Sequence, residues 1–564
     1  MSELTQSYID HSSDQALLND TIGDYFDRIV ERFPDREALV VKHQNIRWTY
    51  REYQREIELI AKGLLALGIE VGDRVGIWGP NSVQWCLTQL ATAKIGAILV
   101  CINPAYRSSE LEYALNKVQC RALITAESFK SSDYLAMLHE LAPELKNCTP
   151  GALKARRLPA LSTVITLSDK HQPGLFNFSD LGRLAGDKEA AALQNLKSSL
   201  RTQDAINIQF TSGTTGQPKG ATLSHHSILN NALQVGQGMA LSERDRLCIP
   251  VPLYHCFGMV MGHLGAITVG ATAVFPSAAF EPLSVLQTVH EEKCTALYGV
   301  PTMFLALLEH PTFSDFDMSS LRTGIMAGAP CPEPLMKRVM SELHMPEVTI
   351  MYGQTETSPV NHMTGINDPL EKRVASVGRC APHLAIKIID EQGTIVPIGH
   401  KGELCCRGYS VMIGYWGDQA QTQATIDTEG WLHSGDLAIM DGEGYVQIVG
   451  RLKDLIIRGG ENIYPQEIEH FLLTHPAITD AQVFGVPDEK YGEEVCVWFK
   501  VKPGEVLHSD ALKEFCKANI AHYKVPRYLR RVDEFPMTVT GKIQKFIMRE
   551  RMEKIVSDKK GDPH

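Results

Sequence analysis

Apolar residues recur at Ile57, Ile60, Ala61, Leu64 and Leu65. That spacing marks one face of a helix, and Gly68 is placed to stop it. Arg74–Trp78 reads as a short strand, Asn81 can cap a helix running through Ile95, and Ala97–Cys101 is strand-like again. Ser109-Glu-Leu-Glu112 is a capping-box pattern that opens another helix, and Arg121–Thr125 follows as a strand. Strands separated by helices predict parallel pairing in a sheet covered on both faces. Residues 143–160, rich in Pro, Lys and Arg, read as a surface insertion. There is no internal repeat of solenoid period.

The pattern changes near the end. Leu455–Ile457, Ala481–Val486 and Val495–Val501 look like strands, and Pro465–His475 and Ser509–Ile520 like helices. Pro465 suits a first helical turn. This mixed α+β stretch of about 110 residues predicts a separate domain, with its boundary near Gly450-Arg-Leu-Lys453-Asp454. Leu247–Phe280 contains no Asp, Glu, Lys or Arg, but it is broken by Pro250, Pro252, His255, His263 and several glycines. A membrane-spanning helix needs about 20 predominantly apolar residues, so the segment reads as buried core lining a site.

Composition narrows the class. The chain has 564 residues, 44% hydrophobic and 21% charged, which excludes a disordered tail, a collagen-like chain or a small disulfide scaffold. Lys and Arg number 55 against 66 Asp and Glu, a net charge of −11, so the whole molecule is no electrostatic nucleic-acid binder. Residues 454–564 carry 17 basic against 18 acidic side chains, so the acidity belongs to the larger part. The 13 cysteines are scattered, with no Cys-x-x-Cys spacing. Cys405-Cys406 lies in a strand-like run whose side chains point to opposite faces. Reduced thiols are expected, not a zinc site. The start, Met1-Ser-Glu-Leu-Thr-Gln, lacks the basic and apolar regions of a secretory signal. A cytoplasmic location is the expectation.

The strongest local signal is the apolar run Ile206–Phe210 leading into Thr211, Ser212, Gly213, Thr214, Thr215, Gly216, Gln217, Pro218, Lys219 and Gly220. Glycines let backbone N–H groups approach an anion. Hydroxyls donate to phosphate oxygens, and the lysine adds a charge. A flexible polar linker is the bland alternative. The loop is not the P-loop of kinases, because Lys219 lies between Pro218 and Gly220 rather than before Ser or Thr. Nor does Gly236-Gln-Gly238 make a dinucleotide fingerprint, since Leu241 stands where the third glycine is required. It reads as part of a helix and its end, and His225-His226 as the start of one.

The loop resembles the phosphate-binding motif of the adenylate-forming superfamily, which includes acyl-CoA synthetases, luciferases and peptide-synthetase adenylation domains. Further motifs of that superfamily follow in order: Pro252-Leu-Tyr-His255-Cys-Phe-Gly258, Tyr298-Gly-Val-Pro-Thr302, Ala327-Gly-Ala-Pro330 and Tyr352-Gly-Gln-Thr-Glu356. Gly430-Trp-Leu-His-Ser-Gly-Asp436, Gly450-Arg-Leu-Lys-Asp454 and Gly541-Lys542 complete the set. The resemblance implies an α/β fold. Residues 1–452 would form a large N-terminal domain of stacked α/β subdomains, sheets with flanking helices plus a distorted β-barrel. Residues 453–564 would form a small mobile α+β domain hinged at Lys453. Ile456-Ile-Arg-Gly-Gly-Glu-Asn-Ile-Tyr-Pro465 and Thr540-Gly-Lys-Ile-Gln-Lys-Phe546 are similar to fatty acyl-CoA synthetases of the medium-chain branch.

Several side chains also make chemical sense alone. Tyr352 can stack on a flat base, and Glu356 can hold Mg²⁺ against phosphate. The alternatives are a core aromatic and a surface cap. Asp436, following Ser-Gly in an expected turn, could accept both ribose hydroxyls, or be an ordinary turn aspartate. By resemblance Tyr352 contacts adenine, Asp436 and Arg451 the ribose, and Glu356 the metal. Gly328, Ala329, Pro330, Gly353, Gln354 and Thr355 fall in the same nucleotide-binding motifs, and Thr211 joins Glu356 in catalysis. His255, otherwise a satisfied core histidine, would line the carboxylate's entry. It need not act as a base, because a carboxylate is already nucleophilic at neutral pH. Lys542, otherwise a solvated turn lysine, matches the catalytic lysine that bridges the carboxylate and the α-phosphate. Gly459-Gly460, otherwise a hairpin turn, matches the loop that forms the pantetheine tunnel.

The implied reaction has two steps. A carboxylate attacks the α-phosphorus of ATP, then the thiol of coenzyme A takes the acyl group. Substrates are fatty acid, ATP and CoA, with Mg²⁺ required. Phe257–Val260, Val300–Phe304, Met326–Ala329 and Thr357–Val360 are the apolar pocket segments, with Gln354 and Thr357 placed to tune them. Lys517, Lys524, Arg527, Arg530 and Arg531 form a stretch without acids. It could meet CoA phosphates or a membrane surface, or be a solvated face. Nucleic acid is not expected as a partner, nor a transmembrane segment; peripheral membrane contact and a homodimer are compatible. The nearest rival, an amino-acid adenylation domain, needs an acid for the substrate ammonium, and Leu253–Met259 holds none.

Overall fold

Val75, Ile77, Leu99, Cys101, Leu123 and Ile124 are all buried, because their strands carry apolar side chains on both faces. Such strands are stable only inside a sheet covered on both sides. In the computed structural model, which describes residues 4–211, 218–329, 331–459, 461–538 and 543–560, they form the middle of an eight-stranded sheet. Its order is Phe176–Asn177, Thr163–Thr166, Ala122–Thr125, Arg74–Trp78, Ile98–Ile102, Ala205–Thr211, Lys219–Ser224 and Gly414–Tyr415. The neighbours are parallel up to Ala205–Thr211, where pairing turns antiparallel. A second, nine-stranded sheet runs Arg379–Cys380, Val360–Met363, Glu347–Gly353, Thr323–Ala327, Ala296–Gly299, Arg246–Cys248, Thr272–Phe275, Glu37–Val41 and Ile46–Thr49.

Among the described residues, contacts divide the chain into two units. The larger is Ile9–Ile386 with Cys406–Leu432; the smaller comprises Met1–Tyr8, Lys387–Cys405 and His433–His564. The smaller unit thus includes chain well before Gly450. In it, Ile478–Asp488 and Gly492–Val501 form a long antiparallel pair, with Ile456–Arg458 and Tyr528–Arg531 pairing to Gly492–Val501. Helices Pro465–Leu472 and Ser509–Asn519 bury Ile468, Leu472, Leu512 and Cys516 in the same core.

Two expected caps move. Ser82, not Asn81, caps the helix Val83–Ile95 by accepting the Trp85 N–H at 3.2 Å. Asn81 instead donates to the Val251 carbonyl (3.0 Å) and accepts from the Leu253 N–H (2.7 Å), tying itself to a distant loop. The helix expected from Ser109 begins at Ser108, where Glu110 accepts the Arg107 N–H at 2.9 Å. Glu112 is drawn into a bidentate pair with Arg157 at 2.9 and 2.6 Å. Helix Tyr50–Ala66 ends at a left-handed Gly68, φ +76°, and helix His225–Gly238 begins at the histidine pair.

The uncharged segment is core. It forms part of a strand, a π-helical stretch Phe257–Leu264 and a short helix Gly265–Val269. Among the described residues no helix is long and apolar enough to cross a membrane. His263 is fully buried there; its Nε2 meets the Tyr53 hydroxyl at 3.1 Å and its Nδ1 meets Gln89 Oε1 at 2.7 Å. Burial pushes His263 down to about 3, His362 to about 3 and His225 to about 4.

A neutral buried histidine gains a proton on unfolding once pH falls below its unfolded value of about 6.5. Stability from these groups is therefore full above pH 6.5 and is lost as pH falls toward 4. In His263→Gln, the slope of unfolding free energy between pH 6 and 4 is expected to fall by about 1.4 kcal/mol per pH unit. Urea unfolding at several pH values measures it, and an unchanged slope contradicts the assignment.

Candidate active site

In the larger unit, chemistry-bearing residues follow the C-terminal ends of parallel strands, where open α/β sheets place their ligand sites. Thr211 ends Ala205–Thr211; Ser212, Gly213, Thr214, Thr215, Gly216 and Gln217, which follow, lie outside the described residues. Lys219 opens the next strand, donating to Gln421 Oε1 at 2.6 Å and lying 5.0 Å from the Tyr415 ring centre. Tyr113, Lys117, Lys219, Gly220, Tyr415 and Gln421 line a cleft beside it. Gly328 and Ala329 follow the strand Thr323–Ala327. Gly328 has φ +86°, and Pro330 lies outside the described residues.

Tyr352 and Gly353 end Glu347–Gly353. A Cβ at Gly353 would sit 1.8 Å from the Pro359 carbonyl oxygen, so no side chain fits. The next turn, Thr355–Thr357, is closed by Thr357: its hydroxyl accepts the Gln354 N–H at 3.1 Å and lies 2.8 Å from the Pro359 oxygen. Thr357 thus serves its own turn. Tyr352 meets the edge of His362, ring centres 5.9 Å apart.

Glu356 is buried at 7% exposure, not a surface cap. Its Oε1 accepts from the Thr211 hydroxyl at 3.1 Å and the Tyr415 hydroxyl at 2.9 Å. Burial and the carboxylate together push the Tyr415 phenol far up, so it stays a donor. Tyr415 has no mark in the sequence beyond Gly414-Tyr-Trp416 and was missed. The oxygen set of Glu356 and Thr211 fits the hard-cation preference of Mg²⁺.

The geometry of the aromatic segment Pro252–Gly258 is tight. His255 Nδ1 accepts the Phe257 N–H at 3.2 Å. Phe257 stacks on Tyr298 with centres 5.4 Å apart. A Cβ at Gly258 would meet the Pro252 carbonyl oxygen at 2.4 Å.

In the smaller unit, Asp436 lies within the strand Leu432–Met440, not in the expected turn, and is 4% exposed. It is paired across the ladder with Arg451, Nε to Oδ1 2.9 Å. Lys453 lies in the short turn Leu452–Asp454 that follows. Gly459, φ +61°, is in the hairpin between Ile456–Arg458 and Glu461–Ile463. Gly460, Gly541 and Lys542 lie outside the described residues. The basic stretch is largely answered within its own unit. Lys517 pairs with Glu514 (2.7 Å), Lys524 with Glu467, and Arg527 with Asp488 and Glu494. Arg530 lies over Trp498 at 5.0 Å.

The ordered sequence motifs, with Glu356 buried against Thr211 in the larger unit, point to the class of adenylate-forming enzymes. Family comparison agrees: residues 26–416 match the AMP-binding enzyme model and residues 467–542 its C-terminal domain. The chain is 48% identical to acyl-CoA synthetase YngI of Bacillus subtilis, covering 95% of this chain and 97% of that one. It is 48% identical to the mitochondrial medium-chain acyl-CoA ligase ACSF2 of Danio rerio, covering 98% and 91%. The crystal structure of the anthranilate CoA ligase AuaEII with anthranoyl-AMP superimposes with a TM-score of 0.82 at 27% identity, covering 96% and 99%. The chain belongs to the AMP-binding enzyme family and is an AMP-forming acyl-CoA ligase.

Tyr415→Phe removes one of the two donors on Glu356 Oε1. A hydrogen bond to a charged group contributes about 1.5–3 kcal/mol, so the melting temperature is expected to fall and kcat/KM for ATP to drop about 10- to 100-fold. Steady-state ATP–pyrophosphate exchange reads this directly; an unchanged value removes Tyr415 from the site.

Proposed function

We propose that the protein activates a medium-chain fatty acid as its acyl-adenylate and then passes the acyl group to coenzyme A. The observation that carries this reading is the buried Glu356, held by Thr211 and Tyr415. The medium-chain ligases among the relatives support the substrate class.

In the first step a carboxylate oxygen attacks the α-phosphorus of ATP. The new O–P bond forms as the bond to pyrophosphate breaks. Tyr352 stacks on adenine, Asp436 and Arg451 hold the ribose, and the loop from Thr211 to Lys219 receives the phosphates. Mg²⁺ bound at Glu356 would neutralise phosphate charge. Lys542 supplies the cation at the carboxylate and α-phosphate. In the second step the CoA thiol, having lost its proton, attacks the acyl carbon and AMP leaves. The 1–452 and 453–564 domains, hinged at Lys453, separate the two steps, with Gly459-Gly460 flanking the pantetheine. The acid-free run Leu253–Met259 favours an alkyl acid over an amino acid. The 13 free thiols support a reducing, cytoplasmic setting.

Fatty-acid-dependent ATP–pyrophosphate exchange and CoA-dependent thioester formation are expected from one preparation, tested with acids of graded length. Lys542→Ala should abolish the exchange while largely sparing thioester formation from supplied acyl-adenylate. Undiminished exchange in that variant sinks the role of Lys542. Acid-dependent exchange with no CoA turnover points to the adenylation-domain rival.

A further inference from the structure

Asp436 is reached through His433, Ser434 and Gly435, a stretch whose backbone turns left-handed at Gly435, φ +70°. Such a stretch needs hydrogen-bond partners that an ordinary ladder does not supply. One side chain of the adjoining strand Lys401–Gly408 supplies two of them. Glu403 Oε2 meets His433 Nδ1 at 2.8 Å, and Oε1 accepts the Gly435 N–H at 3.1 Å. Ser434 completes the clasp: its hydroxyl donates to the Leu404 carbonyl at 2.6 Å and accepts the Asp436 N–H at 3.0 Å. Glu403 has 18% side-chain exposure, enough burial for these contacts to be firm.

Cys405 shares the Glu403 face of the strand, two residues on, with Sγ 3.7 Å from His433 Nδ1. Glu403, Cys405 and His433 bring their donor atoms within 4.8 Å of one another, a grouping that could be read as a cation site. The bonds to His433 and Gly435 use both carboxylate oxygens, and both lead toward Asp436. The cluster is therefore better read as a clasp on the strand.

We propose that Glu403 is a positioning residue for ATP. It fixes the backbone from His433 to Asp436 so that the Asp436 carboxylate meets the ribose hydroxyls in register. This rests on the reading of Asp436 as the ribose acceptor. A carboxylate accepting two hydroxyls is sensitive to small displacements, because hydrogen bonds weaken steeply with angle. The signature of the role is selectivity for the ribose hydroxyls, a property that general destabilisation does not alter.

The test compares kcat/KM for ATP, 2′-deoxy-ATP and 3′-deoxy-ATP in the full chain and in Glu403→Gln, Asp436→Asn and the double variant. Glu403→Gln is expected to raise KM for ATP about tenfold with kcat within about threefold and KM for fatty acid and CoA unchanged. The preference for ATP over the deoxy analogues should shrink by a similar factor. In an Asp436→Asn background the same change should have little further effect, because residues acting through one contact are not additive. Full multiplication of the two effects overturns the proposal, as does a preference for ATP that stays intact in Glu403→Gln. If Asp436→Asn itself leaves the ATP preference intact, the ribose reading fails first, and that outcome is distinct. Should Glu403→Gln misfold, Ser434→Ala loosens the same clasp and must give the same narrowing of preference. Retained preference in folded Ser434→Ala counts against it.

Discussion

A carboxylate taken out of water must be met by donors, or it costs several kcal/mol and tends to take up a proton. Glu356 is a point in the larger unit where this constraint acts. It is carried on a turn after a strand of the nine-stranded sheet, and its two side-chain donors come from the eight-stranded sheet. Thr211 is the last residue of a central strand there, and Tyr415 belongs to the edge strand. The Glu356 carbonyl also accepts the Met412 N–H at 2.9 Å. Meeting one buried charge therefore fixes how the ends of both sheets approach. The strand end at Thr211, the turn after Gly353 and the Tyr415 strand are brought into one neighbourhood by the same bonds.

Backbone crowding enforces that approach. Gly353 leaves no room for a Cβ against Pro359, and Gly258 none against Pro252. In both places another stretch of main chain passes where a side chain would be. These glycines mark close passage of chain, not freedom to bend. In the segment without formal charge, the buried His263 is likewise met at both ring nitrogens, by Tyr53 and Gln89.

Much of this was legible because it is local. Alternation of apolar strands and helices announced the parallel sheet, and Gly68 and Pro465 marked ends and starts at their own positions. The motif residues Thr211, Glu356, Asp436 and Arg451 could be named from short runs of sequence. What could not be read was who answers them. Tyr415 is 59 residues from Glu356, and Glu403 is 32 residues from Gly435, and no periodicity links such pairs. Local rules also lost wherever a distant partner bound more strongly. Asn81 gave up its cap for Val251 and Leu253, and Glu112 left its box for Arg157. Asp436 looked like a turn residue beside Ser-Gly, yet pairing with Arg451 across the ladder keeps it in a strand. The basic stretch looked unpaired only because its carboxylates, Glu467, Asp488 and Glu494, come earlier in the chain.

That last pairing changes what the smaller unit can contribute. Glu494, almost wholly buried, is shared by Arg458 and Arg527, so those cations are committed to holding their own strands together. A buried carboxylate stripped of such partners destabilises a protein by about 3–5 kcal/mol, and a polyphosphate would have to compete against that cost to recruit them. Arg451 stands differently. Its side chain is half exposed while its partner Asp436 is buried, so the guanidinium reaches solvent while it too answers a buried carboxylate. The smaller unit therefore holds two kinds of cation. One is spent on the fold. The other, at Arg451, stays half exposed, and this division follows from where the carboxylates lie rather than from how many there are.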